Sequence, residues 1–229
     1  MELTDKRYKN IGIHVISTIF TVDKGKIKIL LVKRTNEPFK DFWALPSGAL
    51  YNDELLCDGA KRELKEKTGI SGIDLDFSAV FDDIKRSELK RMIGISFIGV
   101  ININGIELQK ETLKTSNADF FEIGNIPKLA YDHNKIIDSS VGILKSRVLE
   151  RNILKDLLPK EFTLPEIQEV YETLLNKELD RRNFRKQILN KGIIEDVHKN
   201  TLYNGKKPAK MYKFCTTNKK DVFWKKCLF

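Results

Sequence analysis

Apolar and polar positions form short alternating runs along the first half of the chain. The segments IGIHVISTIFTV (11–22) and IKILLVKRT (27–35) are apolar and rich in β-branched residues, and the polar DKGK (23–26) separates them. This pattern predicts two strands joined as a hairpin. Prolines and a glycine then mark residues 36–48 as loop. Further strands are predicted over residues 73–83 and 91–103, and a short strand with a turn over residues 118–127.

Two other stretches have the spacing of amphipathic helices, residues 53–68 and 134–155. Their apolar positions recur every three or four residues, which places them on one face of each helix. These positions are Leu56, Ala60 and Leu64 in the first helix and Ile137, Val141, Leu144 and Val148 in the second. Strands that alternate with helices and hairpins predict a mixed α+β fold for this part of the chain.

A pair of prolines, Pro159 and Pro165, ends the α+β pattern. We place the domain boundary here and predict a first domain over residues 1–156 and a second over residues 157–229. Thr163 has the position of a helix cap, and a glutamate three residues later would complete a capping box with it. The helix that follows has its apolar residues Leu164, Ile167, Val170, Tyr171 and Leu174 on one stripe.

Asp180 caps a second predicted helix, whose apolar face is Phe184, Ile188 and Leu189 and which ends at Gly192. A short strand at 193–194 and another at 211–214 then flank a polar tip at 203–210. Two helices followed by a hairpin with a basic tip predict a winged helix-turn-helix domain.

The net charge of +9 is concentrated in the second domain. From Lys160 onward there are 16 Lys and Arg against 9 Asp and Glu, a net of +7, which leaves +2 for residues 1–159. Such a concentration is expected of a surface that binds a polyanion. A solubilising surface is the alternative for scattered lysines.

Several protein classes are excluded on composition. The chain has no run of eighteen apolar residues, so we expect no membrane span. The start, MELTDKRYKN, lacks the apolar core of a secretory signal. Cys57, Cys215 and Cys227 lie far apart and have neither metal-ligand spacing nor the pattern of a disulfide framework. These features predict a cytoplasmic protein.

The segment GALYNDELLCDGAKRELKEKTGI (48–70) contains carboxylates at fixed spacing. Glu63 and Glu66 are three residues apart, so they project from one helix face and would suit Mg²⁺ or Mn²⁺. Arg62 would hold Glu54 by a charge-assisted pair, and Gly48 would let the backbone approach a ligand. The alternative is a solvated face of charged residues. The ligand-binding candidates are Arg34, Gly48, Glu54, Arg62, Glu63, Glu66 and Arg86.

Residues 48–70 resemble the Nudix hydrolase box, and Lys67 stands where that box has another glutamate. We expect its ammonium group to pair with Glu63 or Glu66 and to compete with a metal for these anions. Glu63 and Glu66 therefore remain as weak metal ligands and vestigial catalytic residues. We expect ligand binding to persist and hydrolysis to be lost. No cofactor would then be required, and Mg²⁺ would be needed only for hydrolysis.

Basic and amide side chains cluster at the start of the helix after Asp180. A recognition helix contacts bases chiefly through its N-terminal residues, and Arg, Asn and Gln can read base edges. Lysines of the hairpin would contact phosphates. The DNA-binding candidates are Arg181, Arg182, Asn183, Arg185, Lys186, Gln187, Lys206, Lys207 and Lys210. A basic helical domain that binds proteins is the alternative.

Residues 48–70 resemble the Nudix hydrolase box, whose domains are α/β/α sandwiches. The chain as a whole resembles the Nudix-related transcriptional regulators that repress NAD metabolism. This likeness covers about residues 10–214 and rests on the RELKEKTGI end of the box and three further segments. They are LAYDHNKI (129–136), FTLPEIQEVYETLLNKELDRRNFRKQIL (162–189) and KKPAKMYKF (206–214).

The resemblance implies a homodimer that binds a palindromic operator on double-stranded DNA and releases it when ADP-ribose binds. A sister branch senses sugars, and the residues do not choose between the two effectors. Two other functions stay open: an active Mg²⁺-dependent ADP-ribose pyrophosphatase, and a Nudix-like module whose basic domain binds RNA or a protein.

Overall fold

The computed structural model describes residues 11–88, 90–150, 153–203, 205 and 207–215. Within these residues the chain forms two compact units. The first comprises residues 11–19, 29–99 and 106–140, and the second comprises residues 20–28, 100–105 and 141–215. The predicted domain boundary between residues 156 and 157 stays a prediction.

Seven strands form one sheet. They are β1 (Gly12–Asp23), β2 (Lys26–Arg34), β3 (Trp43–Ala44), β4 (Ser47–Ala49), β5 (Asp76–Phe81), β6 (Met92–Val100) and β7 (Thr115–Glu122). The order is β3-β2-β1-β6-β5, with β4 paired to β1 and β7 paired to β2. Lys24 and Gly25, both with positive φ, make the two-residue turn between β1 and β2. The sheet therefore starts from the hairpin that the sequence predicts.

Strands β5 and β6 are shorter than predicted, and three other strands of this sheet also differ from the predictions. β7 starts at Thr115 and ends at Glu122, whereas the sequence predicts a strand and turn over 118–127. The short strand β3 and the first two residues of β4 lie inside residues 36–48, which are predicted as loop. Strands of two or three residues carry no periodic signal, because their pairing with β2 and β1 is a long-range contact.

The first helix, α1 (Leu56–Thr68), begins three residues later than predicted. Glu54 lies before it and accepts a hydrogen bond from the backbone N–H of Tyr51, so this carboxylate organises the approach to the helix. Ala60 and Leu64 are buried as predicted, but Leu56 is exposed, because it stands at the open end of the helix. Gly69 ends the helix in the left-handed conformation.

The predicted long helix is two helices, α2 (His133–Glu150) and the short α3 (Leu154–Leu157), with Ile153 as a turn residue before α3. On α2, Ile137, Leu144 and Val148 are buried, and Val141 is half-buried. No helix in the part of the chain that the structure describes is long and apolar enough to cross a membrane.

The second unit contains β8 (Phe162–Thr163), α4 (Leu164–Leu175), α5 (Arg181–Asn190), β9 (Ile194–Tyr203) and β10 (Lys207–Phe214). The sheet order is β8-β10-β9, and β10 is antiparallel to both neighbours. The hairpin is longer than predicted. Lys210 pairs with Asn200 inside the ladder and is not part of the tip.

Helix α4 starts as predicted. Thr163 accepts a hydrogen bond from the backbone N–H of Glu166, and the Glu166 carboxylate accepts one from the backbone N–H of Thr163. The predicted apolar stripe of α4 is buried along its length. The Tyr171 ring packs against Phe184 of α5 with 5.7 Å between ring centroids.

Two side chains of α4 hold the turn to α5. Gln168 Nε2 donates to the carbonyl of Leu179 at 3.0 Å, and Glu172 Oε1 accepts from the backbone N–H of Leu179 at 2.9 Å. Asp180 then caps α5 by accepting from the backbone N–H of Asn183. Phe184 and Ile188 are buried, but Leu189 is exposed, so the apolar face of α5 is narrower than predicted. These bonds fix the direction in which α5 leaves α4.

We expect Thr163→Ala to lower the free energy of unfolding by about 1–2 kcal/mol, because it removes both the cap of α4 and the partner of Glu166. Urea unfolding of the full chain, followed by circular dichroism, measures this change. Thr173→Ala on the exposed face of the same helix is the matched control and should be close to neutral. Equal effects of the two substitutions would contradict the capping role.

Candidate functional site

Arg62 organises the carboxylates of α1. Its guanidinium donates to both oxygens of Glu54, Nε to Oε2 at 2.8 Å and Nη2 to Oε1 at 2.7 Å. A third donor, Nη1, lies 2.6 Å from Glu63 Oε1, and the Tyr51 ring covers the guanidinium at 3.8 Å. The hydrogen bond from Arg62 is the main reason that the pKa of Glu54 falls to about 2. The predicted Arg62–Glu54 pair is present, and both groups remain charged at neutral pH.

Gly48 brings the loop against Glu63. A Cβ atom at this position would lie 2.0 Å from the Glu63 carboxyl carbon, so no side chain fits there. Strand β4 holds Gly48 opposite Val15 of β1. The backbone approach predicted for Gly48 therefore serves a buried carboxylate.

Two lysines complete the cluster. Lys67 Nζ donates to the backbone carbonyl of Ser47 and lies 3.4 Å from Glu63 Oε2. Lys114 Nζ lies 2.7 Å from Glu66 Oε2 and 3.4 Å from Glu63 Oε1. Each of the three carboxylates of the box thus contacts at least one cation. Of the two partners predicted for Lys67, Glu63 and Glu66, it is Glu63 that lies at ion-pair distance.

The pKa values in the cluster follow from these contacts. Burial lowers the pKa of Lys67, and the nearby Glu63 opposes this change. The hydrogen bond from Lys114 lowers the pKa of Glu66 and raises that of Lys114. Glu63 Oε2 is buried and accepts no hydrogen bond from the described residues, and the Lys67 ammonium group lies 3.4 Å from it at ion-pair distance.

This arrangement does not fit a divalent metal. A metal needs oxygen ligands whose charge is available, but these carboxylates are already neutralised by Arg62, Lys67 and Lys114. The described residues contain no group of three or more His, Cys, Asp or Glu side chains placed to hold an ion. The site is therefore better suited to an anion than to a cation.

A cavity of about 140 Å³ opens beside the lysines. We call it the cationic cavity, because Arg34, Lys67 and Lys114 line it and no carboxylate among the described residues does. Arg34 donates to the backbone carbonyls of Asn36 and Pro38 and contacts no carboxylate among the described residues. Its charge is free to act on a ligand.

A second cavity of about 350 Å³ lies in the same unit, and its lining includes Phe39, Arg86, Tyr131 and Asp132. We call it the aromatic cavity. Arg34, which lines the cationic cavity, places its guanidinium 5.1 Å from the ring of Tyr131, which lines the aromatic cavity. A cationic cavity next to an aromatic one matches a ligand that has an anionic part and a planar part.

Arg86 has a partner that the sequence does not predict. Its Nε and Nη2 atoms donate to Asp132 at 3.0 and 2.9 Å, and the pair is largely buried. A Cβ atom on Gly94 would lie 2.7 Å from Arg86 Nη2, so the strand leaves room for the guanidinium. Arg86 lines the aromatic cavity and at the same time holds the residue that precedes α2.

Two histidines stand near these cations. Burial, followed by the charges of Lys67, Arg86 and Arg34, lowers the pKa of His14 to about 3. His133 is fully buried at the start of α2, and its Nδ1 accepts from the backbone N–H of Leu45 at 3.0 Å. Both imidazoles are neutral at physiological pH, so the two rings add no positive charge near the cavities.

Helix α5 presents Arg181, Arg182, Asn183, Arg185 and Lys186 to solvent, and Gln187 is half-buried. Gln187 Nε2 donates to Asn183 Oδ1 at 3.3 Å. A cavity of about 320 Å³ between α4, α5 and the hairpin is lined by Arg181, Arg185 and Lys210 among others. Lys210 is paired with Asp196 at 2.9 Å. Lys206 lies outside the described residues, and only the backbone of Lys207 is described.

Sequence reasoning did not find Lys114, Asp132 or His14. Lys114 lies in a polar segment that has no motif, and only folding brings it to Glu66. Asp132 stands inside LAYDHNKI, one of the segments that mark the resemblance, and this was an available signal. His14 is part of an apolar strand, where a single polar residue has no periodic signature.

Comparison with known families places both parts of the chain. Residues 13–138 match the NUDIX domain, and residues 155–214 match the NrtR DNA-binding winged helix domain. The predicted fold class, an α/β/α Nudix sandwich followed by a winged helix-turn-helix domain, is confirmed.

The chain is similar to characterised proteins of two kinds. It is 32% identical over 198 residues to the ADPR responsive transcriptional repressor NtrR of Acinetobacter baylyi, covering 86% of this chain and 79% of that protein. It is 36% identical over 132 residues to the ADP-ribose pyrophosphatase of Methanocaldococcus jannaschii, covering 58% of this chain and 76% of the enzyme. Only the first similarity extends through the winged helix.

A solved structure is similar to most of this chain. The crystal structure of Shewanella oneidensis NrtR complexed with a 27mer DNA superposes with a TM-score of 0.69 at 25% identity, covering 89% of this chain and 93% of that one. With the two domain matches and the Acinetobacter relative, this likeness confirms the family that the sequence resembles. The chain belongs to the NrtR family of regulators, in which a Nudix domain is followed by a DNA-binding winged helix domain.

Proposed function

We propose that this protein is a transcriptional repressor that binds operator DNA through the winged helix and releases it when ADP-ribose binds the Nudix domain. The similarity to the ADPR responsive repressor of Acinetobacter supports this function. The observation that carries it is the cationic cavity beside the aromatic cavity, in the same chain as an exposed basic helix.

The two cavities suit the two parts of this effector. The diphosphate of ADP-ribose is anionic, and Arg34, Lys67 and Lys114 offer it charge-assisted hydrogen bonds. A ring of the effector would enter the aromatic cavity, where Phe39 and Tyr131 form an edge-to-face pair at 4.7 Å. Glu54, Glu63 and Arg62 then act as a scaffold that positions Lys67 and do not bind the ligand directly.

The winged helix binds DNA through α5. Its first two turns present Arg181, Arg182 and Arg185 to solvent, as a helix that enters the major groove requires. Lys210 lines the cavity beside α5 and would contact a phosphate of the bound DNA. Its pairing with Asp196 makes it a weaker phosphate contact than the arginines.

Helix α2 links the effector to the DNA. Tyr131 and Asp132 line the aromatic cavity, and α2 begins at the next residue, His133. The helix runs from the first unit through residue 140 into the second from residue 141. A ligand that displaces Asp132 from Arg86 changes the restraint at the start of this helix. Coupling of about 1–3 kcal/mol is typical of such regulators.

The regulator acts in the cytoplasm. It binds DNA as a homodimer, because two recognition helices about 34 Å apart are needed to reach successive major grooves. Phe77 and Val80 on the edge strand β5 are 58% and 51% exposed, and they offer apolar surface to a second copy.

Hydrolysis of ADP-ribose is a second candidate, favoured by the similarity to the Methanocaldococcus pyrophosphatase and by the presence of Glu54, Glu63 and Glu66. Mg²⁺-dependent release of AMP that Glu66→Gln abolishes would establish it. The ion pairs of Lys67 and Lys114 argue against this activity, because both occupy oxygens that a metal would need.

The first prediction concerns the effector. The protein should bind DNA from upstream of its own gene selectively, with two chains per operator, and saturating ADP-ribose should weaken this binding about 5- to 150-fold. Fluorescence anisotropy with labelled DNA measures both effects. Arabinose and AMP serve as control ligands. If selective DNA binding responds to arabinose and not to ADP-ribose, the effector is a sugar. If the protein does not prefer this DNA over random DNA, the proposed operator is wrong.

The second prediction concerns α5. The double substitution of Arg182 and Arg185 by alanine should lower the affinity for the operator at least tenfold and remove the preference over random DNA, because it deletes two base-reading side chains. The matched control replaces Lys61 and Lys65 of α1 by alanine. Both lysines are exposed, and their replacement removes the same amount of positive charge. A similar loss in the control would assign the effect to net charge alone.

The third prediction concerns Gly48. Gly48→Ala should weaken ADP-ribose binding at least tenfold, because the new Cβ displaces Glu63 and with it Lys67. Gly142→Ala is the control, since a Cβ there meets nothing within 4 Å on an exposed helix face. Calorimetry measures the affinity, and thermal unfolding of both variants separates local displacement from global loss of structure. Unchanged affinity in Gly48→Ala would contradict the proposed scaffold.

A further inference from the structure

The Nudix carboxylates of this chain already hold cations that belong to the protein. Glu63 is in contact with three of them, since Arg62, Lys67 and Lys114 lie 2.6, 3.4 and 3.4 Å from its oxygens. Only 4% of the Glu63 side chain is exposed. A buried carboxylate requires such compensation, and here it comes from side chains fixed by the fold.

Lys67 lies between a backbone carbonyl oxygen and a carboxylate oxygen, which would otherwise be available to a metal ion. Its ammonium group donates to the Ser47 carbonyl on one side and faces Glu63 Oε2 on the other. Lys67 follows Glu63 by four residues on α1, so the helix itself sets the lateral distance between them. The lysine is therefore held in place and does not depend on a ligand to order it.

The charges around the cationic cavity add up to a positive excess. Glu54, Glu63 and Glu66 oppose four cations, because Arg34 joins Arg62 and the two lysines. A divalent ion would enlarge this excess, whereas a diphosphate would reduce it. Coulomb interactions in a partly buried site are strong enough for this difference to decide which ligand enters.

We propose that Lys67 and Lys114 take the place of the divalent metal and bind the effector's diphosphate directly, so that effector binding requires no metal. This inference rests on the proposed function, because it concerns the same cavity. It goes further in naming the groups that neutralise the diphosphate and in assigning a gain of function to the lysine that interrupts the box.

The first measurement is calorimetric titration of the full chain with ADP-ribose in excess EDTA and again in millimolar Mg²⁺. We expect the same affinity in both buffers. Binding that disappears in EDTA and returns with Mg²⁺ would overturn the inference and leave the proposed function intact.

The second measurement uses variants of α1 in EDTA. Lys67→Met should weaken ADP-ribose binding about tenfold or more, the loss expected for one charge-assisted hydrogen bond. Lys65→Met, on the exposed face of the same helix, is the matched control and should bind as the natural protein does. Equal affinities in the two variants would overturn the inference. If Lys67→Met does not fold, Lys114→Met serves instead, because the Lys114 side chain is 42% exposed.

The third measurement reverses the exchange. Lys67→Glu restores the carboxylate of the box, and it should bind Mn²⁺, detected by electron paramagnetic resonance, while its metal-free affinity for ADP-ribose falls. The natural protein should not bind Mn²⁺ in this assay. If the natural protein binds Mn²⁺ in this assay, the inference is wrong.

Titration with ADP, a simpler diphosphate, tests the diphosphate site independently of which compound is the effector. If ADP-ribose does not bind but ADP binds in EDTA and depends on Lys67, the effector is wrong and the diphosphate site stands. If neither compound binds in EDTA, the diphosphate site is overturned.

Discussion

Glu63 is a carboxylate held almost entirely out of water, and its compensation organises the first unit of this protein. Gly48 allows the loop to close over it, since any Cβ there would collide with the carboxyl group. Arg62, Lys67 and Lys114 supply the opposite charges from three directions. An unpaired buried charge would be strongly destabilising, so these contacts must form together. The same contacts fix two of the three cations that line the cavity beside them.

Under the proposed function, the same contacts let a Nudix domain bind an effector without a change of fold. The box retains the spacing that puts Glu63 and Glu66 on one face of α1, but the anions now position lysines. Positive charge is directed toward the cavity, and we propose that it binds a diphosphate there without a metal. Arg86 and Asp132 add a second restraint, a buried ion pair directly before α2. Arg86 and Asp132 line the aromatic cavity, so the proposed ligand site lies next to the start of α2.

The winged helix depends on local bonds to a larger extent. Its two helices have caps that are visible in the sequence, Thr163 with Glu166 and Asp180 with Asn183. The apolar stripe of α4 is buried as its period predicts, because local spacing and burial agree there. Prediction was poorer for the edges: Leu189 of α5 is exposed, and Lys210 lies in a strand and pairs with Asp196. Whether a side chain at the end of a helix is buried depends on residues distant in the sequence, which the apolar period does not reveal.

The sequence by itself determined the order of the two domains, the hairpin of β1 and β2, the caps of α4 and α5, and the exchange of a glutamate for Lys67. These features depend on residues close together in the chain, whose geometry is set by the backbone. Only the tertiary structure decided what the exchange means. Lys114 reaches Glu66 and Asp132 reaches Arg86 across 48 and 46 residues, and no local rule specifies such a pair. Long-range packing converts the interrupted box into a cationic cavity, because a buried charge takes its partners from wherever the fold brings them.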